Sequence, residues 1–137
     1  MSETLSLRLR RVTWEAPGVV SLELERPDGG ALPPFGPGAH LDLHLADGQV
    51  RQYSLCGDPA DTARYRVAVR EVEGGRVSRA IHREWRPGAL VTAGVPRNAF
   101  PFEDAEGYLF VAGGIGITAL LPMMREASRR GRPWTLM

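Results

Sequence analysis

The 137-residue chain contains no lysine, so all 17 of its basic residues are arginine. Guanidinium groups suit bidentate anion recognition, yet a chain-wide preference for arginine weakens the meaning of any single one. Cysteine is almost as scarce. Cys56 stands alone, which excludes an internal disulfide, a four-thiolate zinc site and a self-contained iron–sulfur cluster. The thiol reads as a small buried apolar side chain. No run of about 18 apolar residues occurs, and Met1 to Leu5 lacks a basic segment leading into an apolar one. The expectation is a cytoplasmic protein without a membrane partner. Positive charge exceeds negative by a single unit, too little to make nucleic acid the main partner. His40, His44 and His82 are too scattered for a metal site by spacing, and no metal is expected.

Helical periodicity is also rare up to about Val95. In its place are short alternating runs broken by Gly, Pro and Asp, the pattern of half-buried antiparallel strands. Leu5, Leu7 and Leu9 alternate with polar residues, as do Val20, Leu22 and Leu24, and Leu41, Leu43 and Leu45. Val50 to Cys56, Tyr65 to Val72 and Ala89 to Val95 complete six strands, spaced as in a small barrel or sandwich. The one helix expected here, Ser78 to Trp85, begins on a residue type suited to the N-cap and ends before Arg86-Pro87-Gly88. Trp14, Trp85 and Trp134 read as packing residues.

Beyond Pro101 the pattern changes to strand, turn, helix. Tyr108 to Ala112 is a continuous apolar run, a glycine-rich turn follows, and helical spacing extends from Ile117 to about Arg130. Gly131 and Pro133 close that helix, and Trp134 to Met137 reads as the start of another buried strand. A doubly wound sheet needs several further units, so this segment reads as the truncated beginning of one. Arg125, Arg129, Arg130 and Arg132 form a solvated helix end favoured by the dipole, or alternatively a docking face for a redox partner.

Two constellations carry chemistry. From Gly114 the turn fits G-x-G-x-x-A between strand and helix, with Gly116 its second glycine and Ala119 its last position. There, backbone amides and a helix N-terminus can face an anion. The other reading is tight strand-to-helix packing. The second is Arg51-Gln52-Tyr53-Ser54. Arginine can clamp a phosphate, tyrosine can stack on a planar ring, and a serine hydroxyl can bond a ring nitrogen or carbonyl. Strand alternation puts Arg51 and Tyr53 on one face and Ser54 on the other. The plain alternative is an ordinary strand with a surface arginine.

Pro34-Phe-Gly-Pro-Gly-Ala-His40, Arg51-Gln-Tyr-Ser54, Pro96-Arg-Asn-Ala-Phe-Pro101 and Gly113-Gly-Ile-Gly-Ile-Thr118 occur in the order and spacing of the ferredoxin reductase superfamily. The chain most resembles its phthalate dioxygenase reductase and vanillate demethylase reductase group. The resemblance implies a mainly β fold: a six-stranded antiparallel Greek-key flavin-binding barrel over residues 1–102. Residues 103–137 would be the first β-α unit of a Rossmann-like NAD(P)-binding domain. It also implies FMN as cofactor, with FAD the alternative, NAD(P)H as electron donor, and a 2Fe-2S cluster that is not in this chain. Partners would be an iron–sulfur protein or oxygenase component.

Carried over by position, Arg51 would contact the flavin phosphate, Tyr53 would stack on the isoalloxazine and Ser54 would approach N5. Ala68, Val69 and Arg70 resemble the segment whose backbone borders the ring. Ser78 resembles a phosphate-binding serine, and Thr118 a threonine at the flavin–nicotinamide junction. Ser54 and Thr118 are the catalytic candidates, and Gly114 and Gly116 the nucleotide-binding ones. Two positions depart from the family pattern: Val77 replaces the glycine common before that serine, and Ala119 replaces a proline. The implied function is a flavin-dependent oxidoreductase, with this chain carrying mainly the flavin half. Alternatives are a non-catalytic ligand- or nucleic-acid-binding barrel, or a truncated inactive reductase fragment.

Overall fold

The computed structural model describes residues 3–137. Leucines at every second position dictate the first strands. In β1 (Thr4–Ala16) and β2 (Val19–Glu25), Leu7, Leu9, Leu22 and Leu24 point inward and are wholly buried. The same alternation buries Leu41 and Leu43 of β3 (His40–His44) and Val67 and Val69 of β5 (Tyr65–Arg70). With β4 (Val50–Ser54) and β6 (Leu90–Gly94), these strands form one six-stranded sheet in the order β4-β3-β6-β1-β2-β5. Every neighbouring pair is antiparallel.

The two ends of the sheet meet where Leu55 bridges Val67 and the Cys56 amide donates to the Arg66 carbonyl at 2.9 Å. The sheet therefore closes into a Greek-key barrel, which removes the exposed edges. Each leucine or valine sealed inside stabilises the fold by roughly 1.5–3 kcal/mol. β1 runs well past Leu9 because register shifts between Leu9 and Arg11 and between Trp14 and Ala16 let a bent strand continue. Such bulges break the alternation on which the sequence reading of this strand relied. Trp14, expected to pack, lies on this extension and is 70% exposed.

A clamp joins the barrel's third strand to the chain leaving its sixth. His40 and Arg97 exchange two backbone hydrogen bonds of 2.8 and 3.1 Å. The Asn98 amide donates to the Pro37 carbonyl at 3.0 Å. Gly38 lies between them at φ +96°, and a Cβ built on it would sit 1.8 Å from the Phe100 carbonyl oxygen.

Tyr65 ties the long β2–β3 connection to the core. Its ring is 1% exposed, and its hydroxyl donates to the Pro33 carbonyl. Burial pushes the phenol up to about 12, above the usual value of about 10. The fold thus holds the neutral phenol, so its contribution is complete below about pH 10 and is lost as pH rises towards 12. Tyr53 is shifted in the same direction by burial, and no lysine titrates in that window. Tyr65→Phe is expected to cost roughly 0.5–1.5 kcal/mol, the net worth of one hydrogen bond, and to flatten the alkaline decline. Denaturant titrations at pH 8 and pH 11 check both effects.

α1 (Arg76–Glu84) lies across the barrel, burying Val77 and Ile81. It starts two residues earlier than its sequence suggests, with Gly75 at the N-cap. Ser78 is therefore inside the first turn rather than its cap, and its Oγ accepts the Val72 amide at 3.1 Å. A side chain at Gly75 would crowd this arrangement, because a Cβ there would meet Ser78 Oγ at 2.9 Å and the Val72 carbonyl oxygen at 3.1 Å.

After the barrel come β7 (Tyr108–Phe110), a 3-10 turn at Gly114–Gly116, α2 (Ile117–Arg129) and β8 (Trp134–Leu136). β7 and β8 pair in parallel, giving one βαβ unit. Phe110, Leu120, Met123 and Met124 form its own small core. At the end of α2, Arg129 and Arg130 bind Glu126, holding its carboxyl down at about 2. Arg130 and Arg132 also lie 3.4 and 4.0 Å from Asp104. Much of that arginine cluster is thus answered locally. No helix among the described residues is long and apolar enough to cross a membrane.

Candidate functional site

A cleft of about 480 Å³ opens between β4, β5, the start of α1 and the turn leading into α2. β4 supplies Arg51, Gln52, Tyr53 and Ser54, while β5 supplies Ala68 and Arg70. Gly75, Arg76, Val77 and Ser78 form a second wall, and Ile115, Gly116 and Thr118 a third. The register confirms that Arg51 and Tyr53 share a face with the core leucines of β3, whereas Ser54 pairs with His40 on the opposite face. Residues of both faces reach the cleft.

Three guanidinium groups, those of Arg51, Arg70 and Arg76, line the cleft, and no carboxylate does. Among the described residues none of the three has an ion-pair partner, whereas Arg66, Arg97 and Arg129 each do. Arg51 bonds only its neighbour's carbonyl, that of Val50, at 2.8 Å. The first amides of α1 have no helical acceptor and carry the positive end of the helix dipole. This donor set fits an anion. Tyr53 is half-buried against the barrel core and offers an aromatic face. Burial raises its phenol, and the charge of Arg51 partly opposes that shift.

The turn before α2 contributes space. A Cβ at Gly113 or Gly116 would meet nothing within 4 Å, and neither backbone has a positive φ. Neither packing nor conformation explains these glycines, whereas close approach of a ligand would. Thr118 is buried, and its hydroxyl donates to the Ile115 carbonyl at 2.9 Å, fixing the turn against the helix.

Of the residues expected at the site, Arg51, Tyr53, Ser54, Ala68, Arg70, Ser78, Gly116 and Thr118 line this one cleft. Val69 and Gly114 do not: the Val69 side chain is sealed in the barrel core, and Gly114 is the turn's positive-φ residue, at +56°. The Val69 carbonyl is engaged by His82 Nε2 at 2.8 Å. Sequence reasoning missed Gln52, Val72, Gly75, Arg76 and Ile115. The Gly74-Gly75 pair before Arg76 was the available signal, since a backbone turn into a helix start is an anion-binding context. Cys56 is buried, and its burial pushes the thiol up, away from reactivity. No cluster of three metal-ligating side chains occurs among the described residues.

A closed antiparallel barrel with an acid-free cationic cleft beside a glycine-rich βαβ turn has the donors to hold an anionic ligand that carries a planar ring. The chain belongs to the oxidoreductase FAD-binding domain family, which it matches over residues 15–102. The family is a flavin-binding one. The chain is 47% identical over 134 residues to the tert-butanol monooxygenase / tert-amyl alcohol desaturase reductase subunit of Aquincola tertiaricarbonis, covering 96% of this chain and 40% of that protein. It is 44% identical over 114 residues to the vanillate O-demethylase oxidoreductase of Pseudomonas putida, covering 82% and 36%. Among solved structures it matches phthalate dioxygenase reductase, described as a modular structure for electron transfer from pyridine nucleotides to 2Fe-2S. That match has a TM-score of 0.92 at 38% identity and covers 97% of this chain and 42% of the other. The chain thus spans less than half the length of each of these relatives.

Proposed function

We propose that this chain is the flavin-carrying part of a cytoplasmic NAD(P)H-dependent reductase that passes electrons to an iron–sulfur protein or oxygenase component. The cofactor would be FMN rather than FAD, because the cleft offers one cluster of anion donors, enough for one phosphate. Residues 1–102 would form the flavin barrel and residues 103–137 the beginning of the nicotinamide-binding domain. When bound, the flavin supplies hydride acceptance and one-electron delivery, chemistry that no side chain of this protein provides.

The protein's own residues bind and orient. Arg51 and the amide end of α1 at Ser78 would hold the phosphate, with Arg70 and Arg76 adding positive field. Tyr53 would stack on the ring, Ser54 would offer its hydroxyl at N5, and the β5 segment Ala68 to Arg70 would border the ring's edge. Gly116 and Thr118 would leave the opposite approach open to the nicotinamide, with Gly114 shaping the turn. Val77 packs into the core beneath the helix start, and its amide rather than its side chain would serve the phosphate. The 2Fe-2S cluster would lie outside this chain, whose single cysteine cannot hold one.

The observation that carries this reading is the acid-free cleft with three unpaired guanidinium groups beside a half-buried tyrosine. The test is the visible spectrum of the purified protein with added FMN or FAD, followed by NADH under anaerobic conditions. A yellow complex that bleaches supports the reductase reading. A yellow complex that does not bleach points to a flavin carrier unable to take hydride unaided, and a protein that binds neither flavin overturns the proposal.

A further inference from the structure

α1 meets the barrel with two stripes of side chains. Val77 and Ile81 bury into the core. Ser78 and His82, one helical turn apart and so on one face, turn instead to the backbone of β5 and of the loop that follows it. The Ser78 hydroxyl oxygen accepts the Val72 amide at 3.1 Å, and His82 Nε2 stands 2.8 Å from the Val69 carbonyl oxygen. The stretch spanned by these two bonds includes Arg70 and Val72, both of which line the cleft.

A carbonyl can only accept, so His82 Nε2 carries a hydrogen. The ring's other nitrogen, Nδ1, lies 3.6 Å from the Glu71 carboxylate, and the histidine side chain is 10% exposed. Neutral and protonated imidazole both keep the Nε2 hydrogen in this arrangement, so the bond to Val69 persists in either charge state. Among the described residues it is the one side-chain hydrogen bond from α1 to a barrel strand. Ser78 reaches only the connecting loop. Burial of Val77 and Ile81 is non-directional and does not by itself fix where the helix stands along the barrel. A hydrogen bond has a preferred direction and length, and so does fix it.

We propose that His82 is a positioning residue for the phosphate end of the cleft. Arg51 stands on β4, and just beyond that strand Leu55 bridges Val67 of β5. Further along β5, Val69 accepts His82 of α1. The spacing between Arg51 and the amide end of α1 is therefore set through β5 and this one bond. Loss of the bond lets the start of α1, with Arg76 and Ser78, shift relative to Arg51 and separates the donors that share one phosphate. His82 lines no part of the cleft and acts only through α1. The inference rests on the flavin reading and adds to it the residue that spaces its two anion-binding walls.

The test has one arm without ligand and one with it. In the ligand-free protein, nitrogen-15 shifts of the neutral His82 ring should show the Nε2–H tautomer, and the Nδ1–H tautomer would overturn the proposal. In the second arm, dissociation constants for FMN and riboflavin are measured with wild type, His82→Phe and His82→Gln. Phenylalanine keeps a ring without the donor, whereas the glutamine amide can place an N–H near the position of Nε2. His82→Phe should lower the preference for FMN over riboflavin by roughly 2- to 10-fold, the worth of one hydrogen bond, and His82→Gln should restore most of it. A merely structural histidine would weaken both ligands alike. An unchanged preference in His82→Phe, or an equal loss in both variants, therefore overturns the proposal and leaves the flavin reading intact. Should His82→Phe not fold cooperatively, His82→Asn, whose amide is too short to reach Val69, is expected to lose the preference that His82→Gln keeps, and equal values would count against the proposal. A wild type that binds neither ligand, or both equally, overturns the reading of the cleft and this proposal together.

Discussion

Replacing Gly38 with alanine is expected to destabilise the protein by roughly 3–4 kcal/mol, the sum of a backbone forced out of positive φ and a steric overlap that packing must absorb. Gly38 adopts φ +96°, and the overlap is with a backbone carbonyl, that of Phe100, at 1.8 Å. A flexible side chain could swing aside, but this carbonyl is held near the Asn98 side chain, which bonds both the Phe100 amide and the Pro37 carbonyl. Either the Pro34–His40 segment or the Pro96–Pro101 segment must move. For a chain of this size the loss corresponds to a melting temperature lower by about 10 °C. Thermal unfolding followed by circular dichroism measures it. A fall of under about 3 °C would mean that the two segments are not clamped as described. Because His40 and Arg97 lie in the same clamp, the variant should also loosen the wall behind Ser54 and weaken ligand binding.

Arg51→Ala is expected to act in the opposite manner, leaving stability within about 0.5 kcal/mol of wild type while weakening FMN binding by roughly 10-fold or more. Arg51 is exposed, and among the described residues its side chain bonds only the adjacent Val50 carbonyl, so the fold loses little. The cleft loses one of three cations and the one on the same strand as Tyr53 and Ser54. The wild-type affinity should fall with added salt, as expected of an exposed charge contact, and the variant's should fall less. Fluorescence titrations at two ionic strengths give both numbers, and an affinity unchanged by the substitution would remove Arg51 from the phosphate site.

Most of the barrel was legible in the sequence because its strands are amphipathic in the simplest way. The alternating leucines of β1, β2 and β3 and the valines of β5 announce both the element and the face it buries. Where alternation failed, so did the reading. The second half of β1 was invisible because two register shifts interrupt the period at Arg10-Arg11 and near Glu15. The start of α1 was placed late because Ser78 is a residue type that caps helices, whereas the true cap, Gly75, makes no side-chain bond. Trp14 illustrates a different limit: hydrophobicity says that a side chain gains from burial, not that the fold has room for it.

The site was legible in residue identity but not in shape. Motifs far apart in sequence gave Arg51 to Ser54, Ser78 and Thr118, and the barrel's closure brings them to one cleft. The acid-free lining, the place of Arg76 in it and the turning of the Val69 side chain into the core depend on which side of a strand faces a particular neighbour across the barrel.

The central claim is that one end of the cleft is a phosphate site and the other a ring site. Comparing the affinities of FMN and riboflavin tests it most directly, because the two ligands share the ring and ribityl chain and differ only in the phosphate. The account predicts that FMN binds one-to-one and at least about 10-fold more tightly than riboflavin, the worth of a charge-assisted contact. Equal affinities would show that Arg51 and the amide end of α1 hold no phosphate and would contradict it.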